Sequence, residues 1–188
     1  LGGGDGIIAS EAVKYPGVEV TLVDIDTRVV DLSRKHLSKM NNSALDSRRV
    51  KIKNQDALEF VNKEKPKKYD VIFLDITDPH PNSPSASLLG DDAIKDYKRC
   101  LCPGGIIVAQ ADNPIVTPKH LQQLEKTFEN NFKHVDTFGI SAMTFSGVFS
   151  FVWASDEYDD LSFSESIVET KWLTNERFNF CKKMLELA

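Results

Sequence analysis

Val71-Ile-Phe-Leu74 is a continuous apolar run with no polar alternation, and Ile106-Ile-Val-Ala-Gln110 stays apolar up to its last residue. A strand covered on both faces reads this way, and such strands belong to parallel sheets flanked by helices. The rest of the chain alternates between short β-rich runs and helical stretches. Val20–Asp24 reads as a buried strand. Thr27–Lys39 reads as a helix, with Val29, Val30, Leu32 and Leu37 at its apolar positions. Thr27 is a candidate N-cap for it, and Asp26 is the alternative. Val50–Asn54 alternates like a strand with one wet face, and Ala57–Lys63 is a short helix. Asp91–Leu101 is helical and stops at Pro103-Gly104-Gly105. Pro118–Phe132 is a helix with Pro118 in its first turn. Val135–Gly139 and Phe149–Ala154 are expected as final strands, antiparallel to each other. Asn175–Leu187 closes the chain as an amphipathic helix carrying Phe178, Cys181, Met184 and Leu185. Strands alternating with helices predict an α/β, doubly wound sheet. No internal repeat and no second domain is evident.

The composition suits such a fold. With 188 residues the chain is long enough for one domain with a sizeable core. Its 41% hydrophobic and 27% charged content is that of an ordinary globular protein. The net charge of -5 disfavours nucleic acid as a partner and suits a cationic substrate. No apolar run approaches the ~20 residues of a membrane helix, and no signal peptide is expected. Cys100, Cys102 and Cys181 are odd in number and form no CxxC pair, which argues against a disulfide framework and a zinc site. A reducing cytoplasm fits. Asn41-Asn42-Ser43 matches a glycosylation sequon, a match common by chance.

Open α/β sheets bind ligands at the carboxyl ends of their strands. Two motifs occupy such places, Gly2-Gly3-Gly4-Asp5-Gly6 and Asp75-Ile-Thr-Asp78-Pro79. A glycine turn lets the backbone of Gly3 and Gly4 approach a ligand closely. It is no clean G-x-G-x-x-G, because Ile7 stands at the third glycine position, and no Gly-Lys-Ser/Thr follows to make a Walker loop. Asp5 would repel a pyrophosphate and attract an ammonium; a plain turn with an exposed Asp is the alternative. Such a turn ordinarily follows a buried central strand. The sequence begins at Leu1, so the first strand is expected to be truncated and an upstream segment to precede it.

Asp24 lies about 20 residues past the glycines, where an acid bonds a ribose hydroxyl pair. Asp56 follows the third expected strand, where an adenine amino group is commonly met, with Ala57 beside it. Either acid could instead start a helix. Asp75 and Asp78 follow the next strand. A carboxylate there acts as a general base if it reaches the nucleophile; capping of the next segment is the alternative. Gln110 and Asp112 follow the fifth strand and would complete the rim. His80–Gly90, rich in Pro, Ser and Asn, reads as an active-site loop or lid, or else as a surface connection. His36, His120 and His134, like His80, show no metal-ligand spacing. Trp153, Trp172 and most phenylalanines are expected in the core. Every polar residue of the two motifs except Thr77 is an aspartate. A nucleoside site lined with carboxylates suits a polycation, which points to polyamine chemistry.

These residues resemble the polyamine aminopropyltransferases, the spermidine synthase family. Gly2–Gly6, Val23-Asp24-Ile25-Asp26, Gln55-Asp56-Ala57, Tyr69-Asp70-Val71-Ile72, Asp75–Pro79, Pro103-Gly104-Gly105 and Val108-Ala109-Gln110 stand in that family's order and approximate spacing. The resemblance covers nearly the whole chain; the glycine turn alone would also suit a methyltransferase. It implies a Rossmann-like sheet of the class I methyltransferase type with seven strands. It further implies that Asp5 holds the amine of an aminopropyl arm, Asp24 the ribose, and Asp56 and Ala57 the adenine. Asp75 is implied as general base, Asp78 as diamine ligand and Gln110 as part of the shared cleft. The co-substrate is decarboxylated S-adenosylmethionine, the acceptor putrescine or a related amine, and no metal or prosthetic group is required. Residues 1–188 correspond to the catalytic domain, without the family's small N-terminal β-domain, and a homodimer or homotetramer is implied.

The chain departs from the pattern at four places. Ile7 replaces a usual glycine, and His80–Pro84 lacks a Gly-Pro. Thr144-Phe145-Ser146-Gly147 stands where Tyr-Pro-Ser-Gly is typical, and Asp112 replaces a common Glu. They bear on the amine acceptor more than on the adenosine site. The rival readings are an S-adenosylmethionine-dependent N-methyltransferase of similar fold and a non-catalytic polyamine- or nucleoside-binding homologue.

Overall fold

The computed structural model describes residues 1–77, 84–145, 147–163, 168, 170 and 172–187. The chain divides into two compact units within the range read as one domain. Leu1–Lys63 belong to the first, and Glu64–Glu165 with Thr170–Ala188 to the second.

The first unit opens with the glycine turn and continues through α1 (Ile7–Ala12), β1 (Val20–Asp24), α2 (Thr27–His36), β2 (Val50–Asn54) and α3 (Ala57–Lys63). β1 and β2 pair in parallel, from Val20 opposite Val50 to Asp24 opposite Asn54. Leu22, Val30 and Val50 bury themselves with Ala9, Ala44 and Leu45, and Val13, Val20 and Ile52 pack on that cluster. The N-cap of α2 is Asp26, not Thr27. Asp26 has the extended backbone a cap requires, and its side chain accepts from the Arg28 amide at 2.9 Å. Such a cap contributes about 1 kcal/mol. The helix ends at His36, three residues short of expectation, with Arg34, Lys35 and His36 in a last turn that favours positive charge. Beyond it Asn42 and Ser43 both take positive φ, and Ala44–Asp46 form a 3-10 turn.

The second unit holds β3 (Tyr69–Leu74), α4 (Asp91–Cys100), β4 (Leu101–Gln110), α5 (Pro118–Glu129), β5 (His134–Ala142), β6 (Gly147–Ser155) and α6 (Asn175–Lys183). Its sheet runs β3-β4-β6-β5. β3 and β4 are parallel, whereas β6 runs antiparallel to both β4 and β5. The last two strands are therefore antiparallel to each other, as expected, but β6 inserts between β4 and β5. Ile94, Tyr97, Ile107, Phe128, Val152 and Trp153 are buried in this unit. β3 stands at one end of the described hydrogen-bonded order, with Val71 44% and Phe73 40% exposed, so its apolar run is not covered on both faces.

Three further details differ from the sequence reading. Pro103-Gly104-Gly105 does not separate helix from strand. β4 already starts at Leu101, and the register jumps from Tyr69–Leu101 to Val71–Ile106, so extra residues of β4 bulge out of the ladder. Proline has no amide to donate and Gly104 sits at φ 71°, which is what a bulge tolerates. Trp172 is not core: it is 53% exposed, with the Arg177 guanidinium 5.2 Å from its ring centre. Pro84–Leu89 form a 3-10 turn, while residues 78–83 of the expected lid, Asp78 and His80 included, lie outside the described residues.

Candidate active site

In the first unit the glycine turn is tied down by carboxylates. Gly2, Gly3 and Gly6 all have positive φ. The Gly2 amide bonds the Val23 carbonyl at 2.8 Å, which sets the turn against the carboxyl end of β1. Asp24 uses both oxygens locally. Oδ2 accepts from the Gly4 amide and Oδ1 from the Asp26 amide, each at 2.9 Å. A Cβ on Gly4 would stand 2.5 Å from Asp24 Oδ2, so glycine is required there by contact with the acid itself. Each carboxylate oxygen has a second lone pair, so these bonds leave room for hydroxyl donors. Asp26 is held by Arg28, whose hydrogen bonds and charge keep its carboxyl below the usual carboxylate range. Asp26 is thereby committed to the helix start. Beside it Ile25 is 72% exposed, an apolar side chain outside the core.

Asp5 accepts from the Ile7 amide at 2.9 Å through Oδ1; among the described residues no partner is recorded for Oδ2. Its carbonyl accepts from Asn41 Nδ2 at 2.8 Å. Asp56 caps α3, with Oδ1 accepting from the Glu59 amide at 3.0 Å, and Ala57 is buried behind it. The helix-start role considered for Asp56 is thus realised, and it leaves the second oxygen available.

In the second unit Asp75 follows the end of β3, partly buried. Leu74 pairs with Ala109, so Asp75 and Gln110 are the next residues along two parallel neighbours. Gln110 donates its side-chain amide to the Ile76 carbonyl, pinning the chain one residue past Asp75. Asp112 follows in the left-handed region at φ 63°. Its carbonyl accepts from both the amide and the hydroxyl of Ser150, each at 2.8 Å, and its Oδ2 accepts from Thr117 Oγ1 at 2.7 Å. Buried Asn113 closes the loop by accepting from the amides of Ile115 and Val116. Sequence reasoning missed Asn113 and Ser150. Their only signal was polarity at the end of a strand and inside the apolar run Val148–Ala154.

A cleft of roughly 400 Å³ in this unit is lined by Leu121, Glu125, Asp136, Lys182, Lys183 and Leu185, among others. It contains none of the candidate residues, and Lys182 is engaged by Asp160 and the Leu161 carbonyl.

Known proteins resemble this chain in sequence and fold. The Spermine/spermidine synthase domain family matches residues 1–165. Polyamine aminopropyltransferase 2 of Hyperthermus butylicus is 33% identical over 170 residues, 90% of this chain and 55% of that protein. The polyamine aminopropyltransferase of Bacillus cytotoxicus is 35% identical over 181 residues, 94% of this chain and 64% of its own. The chain spans about half the length of the curated relatives it matches. Among solved structures, a spermidine synthase in complex with the transition state analogue AdoDATO superposes with a TM-score of 0.83, at 24% identity, over all of this chain and 68% of its own. The spermidine synthase from Thermotoga maritima gives 0.72 at 24% identity, over 82% of this chain and 50% of its own. Those likenesses establish the Rossmann-like, methyltransferase-type fold with its mixed sheet. On the family match over residues 1–165 and the relatives that share a third of its sequence, the chain belongs to the spermine/spermidine synthase family.

Proposed function

We propose that residues 1–188 form the catalytic domain of an aminopropyltransferase. It moves an aminopropyl group from decarboxylated S-adenosylmethionine to putrescine or a related amine, giving spermidine or its analogue and methylthioadenosine. The observation that supports this best is the state of the glycine turn. Asp24 holds the Gly4 amide, and Asp5 has an oxygen with no partner recorded among the described residues. That is a turn built to meet a nucleoside with a cationic arm, in a chain whose relatives are named polyamine aminopropyltransferases.

In this reading Asp24 accepts from the ribose hydroxyls, Asp56 and Ala57 meet the adenine, and Gly3 and Gly4 bring the backbone against the donor. Asp5 pairs with the amine of the aminopropyl arm. The acceptor amine is protonated at neutral pH, and surrounding carboxylates raise its pKa further. Asp75 takes that proton. The freed lone pair forms the C–N bond at the aminopropyl carbon as the C–S bond breaks, and the electron pair of that bond neutralises the sulfonium. Asp78 pairs with the remote ammonium of the diamine, and Gln110 lines the same cleft while holding the Ile76 carbonyl. A homodimeric or homotetrameric assembly and a cytoplasmic location are part of the proposal. No helix among the described residues is long and apolar enough to cross a membrane.

Mass spectrometry of products from decarboxylated donor and a mixture of amines tests the reading. Aminopropylated amine with methylthioadenosine is the expected result. Methylated amine from intact S-adenosylmethionine would make the protein a methyltransferase, and binding without turnover would make it a non-catalytic homologue.

A further inference from the structure

Asn41 lies 36 residues from Asp5 in sequence, and its side chain is fully buried. Both ends of its amide are engaged. Nδ2 donates to the Asp5 carbonyl at 2.8 Å, and Oδ1 accepts from the Ser43 amide at 3.1 Å. Its backbone is fixed as well, with the amide on the Leu37 carbonyl and the carbonyl on the Ala44 amide. The sequon match at Asn41 is thereby void, because a glycan cannot attach to an amide nitrogen with no access to solvent.

The segment that presents Asn41 is backbone-strained. Asn42 and Ser43 follow it with φ of 49° and 54°. Non-glycine residues seldom occupy that region, and two in succession persist only where surrounding contacts determine them. The strained reversal brings Leu45 under the glycine turn. A Cβ on Gly6 would meet Leu45 at 2.8 Å and Asn41 Nδ2 at 3.4 Å. Residues 41–45 therefore back the turn at the peptide that joins Asp5 to Gly6. Among the described residues the Asp5 carboxylate accepts only from the Ile7 amide.

We propose that Asn41 is a positioning residue for Asp5. By holding the Asp5 carbonyl it sets the direction in which the carboxylate leaves the turn, and so where an ammonium on the bound ligand is met. The inference rests on the aminopropyltransferase reading, in which Asp5 receives the amine of the donor. Asn41 itself touches no ligand. Its amide is the one side-chain donor to the Asp5 carbonyl among the described residues, and a partly buried carbonyl stripped of its donor reorients or goes unsatisfied.

The test is a pair of affinities measured by calorimetry on the purified protein. Decarboxylated S-adenosylmethionine carries the aminopropyl ammonium, whereas methylthioadenosine has the same adenosine moiety without it. The unaltered protein is expected to prefer the first, and Asp5→Asn to erase most of that preference. Asn41→Ala is expected to lower affinity for the aminated ligand by roughly tenfold, the scale of one hydrogen bond to a charged group. Its affinity for methylthioadenosine should stay within about threefold, a few tenths of the same scale. Val50→Ala, a truncation in the core of the same unit, should lower Tm without changing the ratio of affinities. If Asn41→Ala does not fold, Asn41→Ser, too short to span to Asp5, is measured in its place. Equal loss of both affinities would make Asn41 structural only and overturn the proposal, as would an unchanged ratio. Were the unaltered protein to bind both ligands equally or neither, the functional reading would fail first, and the assignment to Asn41 with it.

Discussion

The glycine turn of the first unit and the loop after β4 in the second meet the same requirement by different chemistry. Around the turn the fixing groups are mostly anions, with neutral Asn41 on the Asp5 carbonyl. Asp24 spends both oxygens on backbone amides, while Asp5 and Asp56 spend one each. After β4 the fixing groups are mostly neutral, the exception being the Asp112 carboxylate that accepts from Thr117. Gln110 holds the Ile76 carbonyl, Ser150 holds the Asp112 carbonyl, and Asn113 caps two amides. A carboxylate that accepts from backbone amides is held in place and has further lone pairs to offer a ligand. In the proposed reading, binding falls to the first region and base chemistry, at Asp75, to the second.

The largest effect that would break this division is expected at Asp75. Asp75→Asn keeps the size and one acceptor but cannot take a proton, so kcat should fall ~10²–10⁴-fold with little change in donor affinity. Asp78→Asn should instead raise KM for the amine. Steady-state kinetics on both variants decide: near-normal turnover in Asp75→Asn would remove the base from this residue.

Next is Gly4→Ala. The added methyl would sit 2.9 Å from Asp24 Cγ as well as against Oδ2, and 3.2 Å from Val29. Overpacking of this kind costs about 1–3 kcal/mol. Displacing the Asp24 carboxylate should also weaken adenosine-ligand binding by about tenfold or more. Urea denaturation and calorimetry read the two losses separately, and full affinity in this variant would show that Asp24 is a structural clamp alone.

Asp112 tests the neutral side. Ala at φ 63° carries a left-handed penalty of about 1–2 kcal/mol that Gly escapes. Both variants lose the bond from Thr117, so the difference between Asp112→Ala and Asp112→Gly in urea denaturation isolates the backbone term.

The smallest effect is electrostatic. Asp156 is partly buried, which alone would raise its pKa. Hydrogen bonds from Lys98 and the Lys133 amide, with the two lysine charges, instead bring its carboxyl below the usual range. A depressed carboxylate contributes stability that is present above its unfolded pKa of about 3.9 and lost as pH falls through the lower folded value. The pair is about one-third exposed, so the contribution should stay under about 1 kcal/mol. Tm followed from pH 6 downward should show a shallower acid decline in Asp156→Asn than in the unaltered protein.

Much of the local structure was legible in the order of residues. Val20–Asp24, Val50–Asn54 and Ala57–Lys63 have the bounds that their patterns predict, because alternation and apolar spacing act within a few residues. The motif order Gly2–Gly6, Asp24, Asp56, Asp75 was equally plain, and it was enough to suggest the family. Tertiary structure alone decided the partners. Nothing near Asp24 in sequence shows that its carboxylate meets Gly4 twenty residues back, or that Asn41, read as a chance sequon, is buried against Asp5. The insertion of β6 between β4 and β5 and the bulge that absorbs Pro103–Gly105 are likewise set by pairing across the sheet. Periodicity reports which face a residue presents. The group it meets there depends on how distant segments satisfy one another's buried amides and carbonyls, which local sequence does not encode.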